Sequence, residues 1–416
     1  MGERKDDDAG SRPPKRDRPG PIGTTGTVDF TFTAEENAFR QEVRAFLDAE
    51  LPPEMAFNHE FNEDPDLWRF AFEFTRKVGA RGWIGLTWPV EYGGLGRTQT
   101  ERLILAEEFT ARDAPMVNVI GWGLAAGALL VGGSEEQKKR FLPGIAAFDR
   151  FWAEGLTEPD SGSDLASLST RAERDGDDWI VTGQKTYTTW GHHADVMFLA
   201  ARTDSEAPPH HGISVFCLDL KAPGVTLSPL YNMAGGRQNH TYLDGVRVPG
   251  DMLIGEAGKG WSYIMNAFYA GGGAGARHAE MRLMLDEVID YCNTTSRGGA
   301  LLIKDPIVRS QLAELELMVE TERLLTYESL SNAINKRPPQ FGGALGVVVS
   351  KENKPLFAQT ISKIVGPLAQ LRQESRWAPF DGGAEAWYRW SYANHAGGTS
   401  QVKRMVLATR GLGLPR

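Results

Sequence analysis

Residues 175–182 read Asp175-Gly176-Asp177-Asp178-Trp179-Ile180-Val181-Thr182, and this stretch decides the fold class. An Asp-Gly pair supplies the left-handed backbone that a tight hairpin turn needs, and the run after it is β-prone. Further β-prone runs stand at 186–189, 196–201, 213–218 and 225–227, each bounded by turn residues. Together they predict a compact antiparallel β domain over residues 151–255.

Outward in both directions the apolar spacing becomes helical. Thr33-Ala34-Glu35-Glu36 is a capping box ahead of Phe39, Val43, Phe46 and Leu47, with order expected to begin near Phe30. More helices are predicted around 67–78, 98–112 and 116–131, and after the capped start Ser134-Glu135-Glu136-Gln137. Helical spacing returns from Gly260, notably at 280–292, 307–335 and 353–371, long enough for a bundle. The predicted class is α+β: an N-terminal helical domain (28–150), the β domain (151–255) and a C-terminal helical bundle (256–416). Residues 1–27, with Pro13, Pro14, Pro19 and Pro21 and almost no large apolar side chain, cannot offset the entropy of ordering and are predicted to form a disordered tail.

At 416 residues, 41% hydrophobic and 24% charged, the chain has average globular composition and is long enough for two or three packed units. Its formal charge of −9 comes from 45 basic and 54 acidic residues without a long block of either sign, which argues against nucleic acid as a partner. Cys217 and Cys292 are the only cysteines, in no metal-ligand spacing, and fit a reducing cytoplasmic setting without structural zinc. His192-His193 and His210-His211 are adjacent pairs that a strand would point to opposite faces, so they read as surface or loop histidines and no metal site is expected. No apolar run of membrane-spanning length and no signal-peptide core is seen, so membrane insertion is not expected.

The motifs sit in and around the β domain. Gly155-Leu156-Thr157-Glu158-Pro159-Asp160-Ser161-Gly162-Ser163-Asp164 is followed by Thr182-Gly183-Gln184-Lys185-Thr186-Tyr187-Thr188-Thr189, then Asp244-Gly245-Val246-Arg247-Val248-Pro249, Gly258-Lys259-Gly260-Trp261, Asn394-His395-Ala396-Gly397-Gly398-Thr399-Ser400-Gln401 and Gly411-Leu412-Gly413-Leu414-Pro415-Arg416. In this order and spacing the chain resembles the acyl-CoA dehydrogenase family over roughly residues 30–416. A nicotinamide-type reading of Gly271-Gly272-Gly273-Ala274-Gly275 fails, because no strand precedes the glycines and no acidic residue follows in register.

The resemblance implies FAD as cofactor and an acyl-CoA thioester as substrate. It places Leu156 and Thr157 at the flavin pyrimidine edge, Gly162 and Ser163 near the diphosphate and substrate phosphates, and Tyr187 and Thr189 at the ring face and N5. Thr399 and Gln401 are further cofactor contacts by the same analogy. Taken without the family, Thr157 and Ser163 read as turn hydroxyls and Tyr187 as a core aromatic.

Desaturation next to a thioester needs a base for a weakly acidic proton and hydrogen bonds for the developing enolate. The family places a glutamate at one of two positions, which here are Gly397 and Gly271, the latter with Gly272 beside it. No catalytic base is therefore identified. Glu280 and Asp286 stand two or more helical turns beyond the second position, and His395 and Tyr269 are the other candidate bases. Gly397 still has the backbone N–H that by resemblance binds the thioester oxygen, so Ser163 and Gly397 are the candidate substrate contacts. The glycine tract at 271–275 reads either as a widened pocket for a bulky or polycyclic acyl group or as close helix packing.

Many homotetrameric relatives carry an Arg-x-x-Phe segment and a Gln-x-x-Gly-Gly-x-Gly segment that reach a neighbour's flavin. Here the first reads Thr295-Ser296-Arg297-Gly298 and the second is absent around Gly366-Pro367-Leu368. This resembles bacterial two-chain members, and implies a heterotetramer with a homologous subunit, with a homo-oligomer as the alternative. Electron-transfer flavoprotein is one acceptor the family uses. Three functions stay open: a dehydrogenase subunit completed by its partner, a flavoenzyme whose elimination or oxygen chemistry needs no such base, and a non-catalytic structural subunit.

Overall fold

Thr33 starts the first helix as predicted. In the computed structural model, which describes residues 31–56, 63–271, 276–335, 342–393 and 396–415, its hydroxyl accepts from Glu36 N while the Glu36 carboxylate accepts from Thr33 N. The expected tail at 1–27, like Phe30, lies outside the described residues. Helix α1 (Ala34–Glu50) buries Phe39, Val43, Phe46 and Leu47. Helix α2 (Pro65–Ala80) is capped by Asp64 with Pro65 at its first position, where a missing N–H costs nothing. Helix α3 (Gln99–Thr110) carries a second capping box, Thr98 with Glu101. Phe46 packs on Trp83, Phe74 and Phe109 with ring centroids 5.0, 5.7 and 6.4 Å apart.

The helix predicted at 116–131 begins late. Asn118 has φ +77°, a π-helical turn at Ile120–Ala125 follows, and the α-helix proper is α4 (Ala126–Gly132). Asn118 is wholly buried, donating from its amide to Arg150 O (3.3 Å) and accepting from Trp152 N (2.8 Å), so it serves the coming strand rather than a helix. Helix α5 (Glu135–Ala147) has the Ser134–Gln137 capping box expected of it.

Seven strands form one sheet: β1 (Trp152–Gly155), β2 (Arg171–Asp175), β3 (Asp178–Lys185), β4 (Val196–Arg202), β5 (Ile213–Asp219), β6 (Val225–Tyr231) and β7 (Arg237–Val248), in the order β1-β4-β2-β3-β7-β6 with β5 also on β4. The hairpin read at Asp175-Gly176 is real: Asp175 pairs with Asp178, and Gly176 has φ +62°. The expectation of a purely antiparallel domain is corrected in part, because β1 and β2 both run parallel to β4. The run at 186–189 is no strand, since it leaves the sheet after Lys185. Strand β7 was not anticipated as one element; its residues are mostly polar, and only their alternate burial along part of its length marks it. Strand β4 is buried on both faces: Met197, Leu199 and Ala201 join the core under α1 to α3, while Val196, Phe198 and Ala200 join the core under α4 and α5.

The C-terminal part is α6 (Gly260–Gly271), α7 (Arg277–Thr294), the short strands β8 (Ser296–Arg297) and β9 (Ala300–Leu301), then α8 (Pro306–Ile334), α9 (Gly342–Val365), α10 (Gly383–Ala393) and α11 (Ser400–Val406). A third core joins Leu285 and Val288 of α7, Leu315 and Val319 of α8, Phe357 and Ile361 of α9 and Trp387 of α10. Helix α9 starts before and ends before the predicted 353–371, stopping at Gly366 with φ +78°. The β8–β9 hairpin turns on Gly298 and Gly299 (φ +60° and +87°), and its Arg297 donates to Ile364 O and Val365 O (2.8 and 3.1 Å), satisfying the last carbonyls of α9. Among the described residues no helix is long and apolar enough to cross a membrane.

Phe74 is only 1% exposed within the aromatic cluster. Phe74→Ala is expected to cost about 3–5 kcal/mol in urea denaturation; a loss well below that would mean the cluster collapses onto the gap.

Candidate functional site

The loop at 156–164 is fixed from below by a buried ion pair. Lys185 at the end of β3 is wholly buried, and its Nζ donates to Glu158 Oε1 (2.7 Å) and to the carbonyl of Leu156 (3.1 Å). Glu158 also accepts from Thr170 N (2.9 Å) and from Ser169 N and Oγ (2.7 and 2.8 Å). Burial alone would raise its pKa, but the Lys185 ammonium and these hydrogen bonds outweigh burial and hold it down to about 2. Burial pulls Lys185 down to about 8 against the attraction of Glu158. Between those values both groups are charged.

This scaffold sets the predicted site residues in their places. Leu156 is buried, Thr157 is half-buried and its carbonyl accepts from Thr186 N (2.9 Å), and Gly162 and Ser163 face solvent. The loops bearing Leu156–Ser163 and Thr186–Thr189 are thus brought together. Beyond Lys185 the chain turns sharply: Tyr187 and Trp190 have φ +57° and +53°, each costing roughly 1–2 kcal/mol for an L-residue. The surroundings impose this. Thr188 is buried between Asn239 and Thr241, its N donating to Asn239 O (2.9 Å) and its hydroxyl lying 3.0 Å from that of Thr241, while Trp190 is buried against Trp68 and Phe151. Tyr187 is left 56% exposed and is no core aromatic. Thr189 Oγ1 accepts from Gln238 Nε2 (3.1 Å). The strained backbone thus presents one aromatic ring to solvent.

The C-terminal run is held separately, by α9. Gly397 and Gly398 have φ +72° and +92°, and a Cβ built on Gly397 would meet nothing within 4 Å among the described residues. Lys351 of α9 donates from Nζ to Ala396 O (2.9 Å), and burial, reinforced by Lys354, Arg277 and Lys403, lowers its pKa to about 8. Thr399 caps α11, accepting from Val402 N (3.2 Å), and Gln401 is exposed. Gly271 closes α6; Gly272 and His395 lie outside the described residues, as does the side chain of Tyr269. The two acids named beyond the second base position are engaged. Glu280 pairs with Lys354 (2.9 Å) and Asp286 lies 3.6 Å from Arg282. Glu322, which sequence reading did not single out, is 1% exposed and has its pKa raised by burial.

The premise that His192 and His193 point apart is corrected. They lie in the turn after Thr189, their rings are 4.1 Å apart, and their ligand atoms and those of Glu63 fall within 4.8 Å of one another. Hydrogen bonding nevertheless commits His192. Asn239 Nδ2 donates to Thr188 O (3.1 Å) and Asn239 Oδ1 accepts from Arg237 Nη2 (3.2 Å), which fixes the amide. Its remaining N–H meets His192 Nδ1 (3.2 Å), so His192 Nε2 carries the proton and donates to Glu63 Oε2 (3.1 Å). A metal ion would need that nitrogen bare. Asn239, His192 and Glu63 form a hydrogen-bond chain from the sheet to the start of α2, and burial together with Arg237 keeps His192 neutral, its pKa lowered to about 4.

Glu158→Gln leaves the Lys185 ammonium buried without its counter-charge and is expected to cost roughly 3–5 kcal/mol at pH 7 in urea denaturation. The folded pKa of Glu158, about 2, lies below its ordinary 4.5, so its contribution is whole above about 4.5 and is lost as pH falls toward 2. The gap between wild type and variant should narrow over that window; a gap that is constant with pH would refute the pairing.

Comparison with known proteins gives three consecutive family matches: the acyl-CoA dehydrogenase N-terminal domain over residues 33–149, the middle domain over 153–246 and the C-terminal domain over 258–412. Acyl-CoA dehydrogenase FadE26 of Mycobacterium tuberculosis (strain ATCC 25618 / H37Rv) is 33% identical over 400 residues, covering 93% of this chain and 99% of that protein. The ChsE4-ChsE5 complex from Mycobacterium tuberculosis contains a chain of the same fold, with TM-score 0.85 and 32% identity over 93% of this chain and all (100%) of that one. The Tcur3481-Tcur3483 steroid ACAD matches with the same TM-score of 0.85 and 32% identity, over 93% of this chain and 100% of that one.

Proposed function

The chain belongs to the acyl-CoA dehydrogenase family, FAD-dependent oxidoreductases acting on CH–CH bonds, and from that premise we propose that it is one subunit of a two-chain acyl-CoA dehydrogenase whose homologous partner supplies the base. The observation that carries this is the Gly397 position. A side chain is absent there, the backbone is left-handed and no described atom lies within 4 Å of where a Cβ would stand. That position can bind a thioester oxygen through its N–H and cannot take a proton.

The residues present fit a flavin. An exposed aromatic at Tyr187 offers a wall for a ring, Thr189 a hydroxyl, and Gly162 with Ser163 an open, small-residue edge beside a rigid loop. When bound, FAD supplies the hydride acceptor, and the protein's part is to position and polarise. Leu156 and Thr157 would face its pyrimidine edge, and Ser163 the phosphates. Thr399 is already used as a helix cap, so its contact with cofactor would come from its backbone or the free face of its hydroxyl, with exposed Gln401 next to it.

Two further features support a shared site. Arg297, in the segment that reaches a neighbour in many homotetrameric relatives, is turned inward onto the end of α9. Two of the similar solved structures are named as pairs of chains. A bulky, polycyclic acyl group is the substrate class favoured by the small residues at 271–275 and by the likeness to a steroid enzyme.

Purification of the chain alone should give little flavin absorbance, and co-expression with a homologous second chain should restore one flavin per pair. Stoichiometric flavin on the isolated chain, bleached anaerobically by an acyl-CoA, would overturn the shared site and favour self-sufficient chemistry. Gly397→Glu is expected to fold, at a cost of about 1–2 kcal/mol for its left-handed φ, and to gain no dehydrogenation on its own. Tyr187→Gly should leave stability within about 1 kcal/mol of wild type, since strain is relieved while chain entropy rises, yet weaken flavin retention in the co-expressed pair. Unchanged retention would remove Tyr187 from the site.

A further inference from the structure

We propose that Lys351 is a positioning residue for substrate polarisation, acting through the Ala396–Gly397 peptide. This rests on the reading of Gly397 N–H as the donor to the thioester oxygen.

A peptide group is one rigid unit: its C=O belongs to the first residue, its N–H to the second, and the two point in opposite directions. The carbonyl of Ala396 and the N–H of Gly397 are therefore the two ends of a single plane. Lys351 Nζ donates to that carbonyl at 2.9 Å, which fixes the direction in which the N–H must point. The constraint matters because of what surrounds it. Gly397 and Gly398 have φ +72° and +92°, and no described residue comes within 4 Å of where a Gly397 Cβ would stand. Two successive glycines, neither carrying a Cβ, can rotate a peptide at little steric cost.

The same contact strengthens the donor. A charged group hydrogen-bonded to a carbonyl polarises the amide and makes its N–H a better donor. Lys351 is itself held. It lies on α9 one turn from Lys354, which pairs with Glu280 (2.9 Å) and stands 3.5 Å over the Trp390 ring of α10. Glu352 of α9 ties down α11 beyond the loop through Arg404 (2.8 and 2.7 Å). Helix α9 thus anchors both sides of the glycine turn, with Lys351 at its centre. Lys351 touches no reacting atom in this scheme.

The test uses the full chain, together with its second chain where one accompanies it, as wild type, Lys351→Met and Lys351→Arg. Hydrogen-exchange mass spectrometry across residues 396–399 should show exchange about threefold or more faster in Lys351→Met and restored in Lys351→Arg, with the urea midpoint unchanged. Binding of octanoyl-CoA is then compared with that of octyl-CoA, the thioether that lacks the carbonyl. The preference for the thioester should fall by about three- to tenfold in Lys351→Met, recover in Lys351→Arg, and leave thioether binding unaltered. Exchange in Lys351→Met equal to wild type overturns the proposal, as does faster exchange spread along all of α9, which would mean loosened packing only. An undiminished thioester preference in Lys351→Met also overturns it. A wild type with no thioester preference would instead sink the assignment of Gly397 N–H as donor, and the exchange comparison would still decide whether Lys351 holds the peptide.

Discussion

The site depends on a charge pair that never meets water. Lys185 ends the strand just before the exposed Tyr187 turn, Glu158 stands inside the loop that carries the candidate cofactor contacts, and their contact makes loop and strand one body. Such a pair is a weak source of stability, because the desolvation of both ions cancels much of their attraction. Its value lies in geometry: with Thr170 and Ser169 on its other lone pairs, the Glu158 carboxylate has one orientation available, and Leu156 and Thr157 inherit it. The strained turn at Tyr187 begins two residues beyond Lys185 and is affordable because its base does not move.

Much of the architecture could be read from the chain because the relevant signals are local. The capping boxes at Thr33, Thr98 and Ser134 are each written within four residues, and an Asp-Gly pair announces its hairpin. What escaped is non-local. The parallel pairing of β1 with β4 joins segments some forty residues apart, and nothing in Trp152–Gly155 states its direction. Residues 186–189 have β-branched and aromatic content, yet Thr188 is drawn into contact with Asn239 and Thr241, and that tertiary demand overrides local propensity. The β8–β9 hairpin did carry a local sign, Gly298-Gly299, inside a region of otherwise helical spacing.

The site was legible in the same uneven way. Motif residues such as Leu156, Thr157, Ser163 and Tyr187 could be named by resemblance, whereas the groups that hold them in place could not be given roles. Lys185 was visible in its motif without a partner, and Lys351 sits in a helix with no motif, tied to a carbonyl forty-five residues on. Side-chain contacts to backbone leave no trace in residue type, since any residue offers a carbonyl. Two glycines where acids were sought are a different matter: an absence is plain in sequence, and the structure adds that at Gly397 the backbone is left-handed, with no described atom within 4 Å of where a Cβ would stand.

The hydrogen-bond chain from Asn239 through His192 to Glu63 also gives the molecule an order of failure in acid. Neutral His192 accepts at one nitrogen and donates at the other; once protonated it has two donors, one of them facing the amide N–H of Asn239. Its pKa is lowered from 6.5 to about 4 in the folded protein, so the stability it contributes is whole above about 6.5 and drains away as pH falls toward 4. Glu158 and Lys185 hold until the acid range below 4.5. Of these two fastenings, the link between the start of α2 and the sheet is undone by protons before the ion pair under the 156–164 loop.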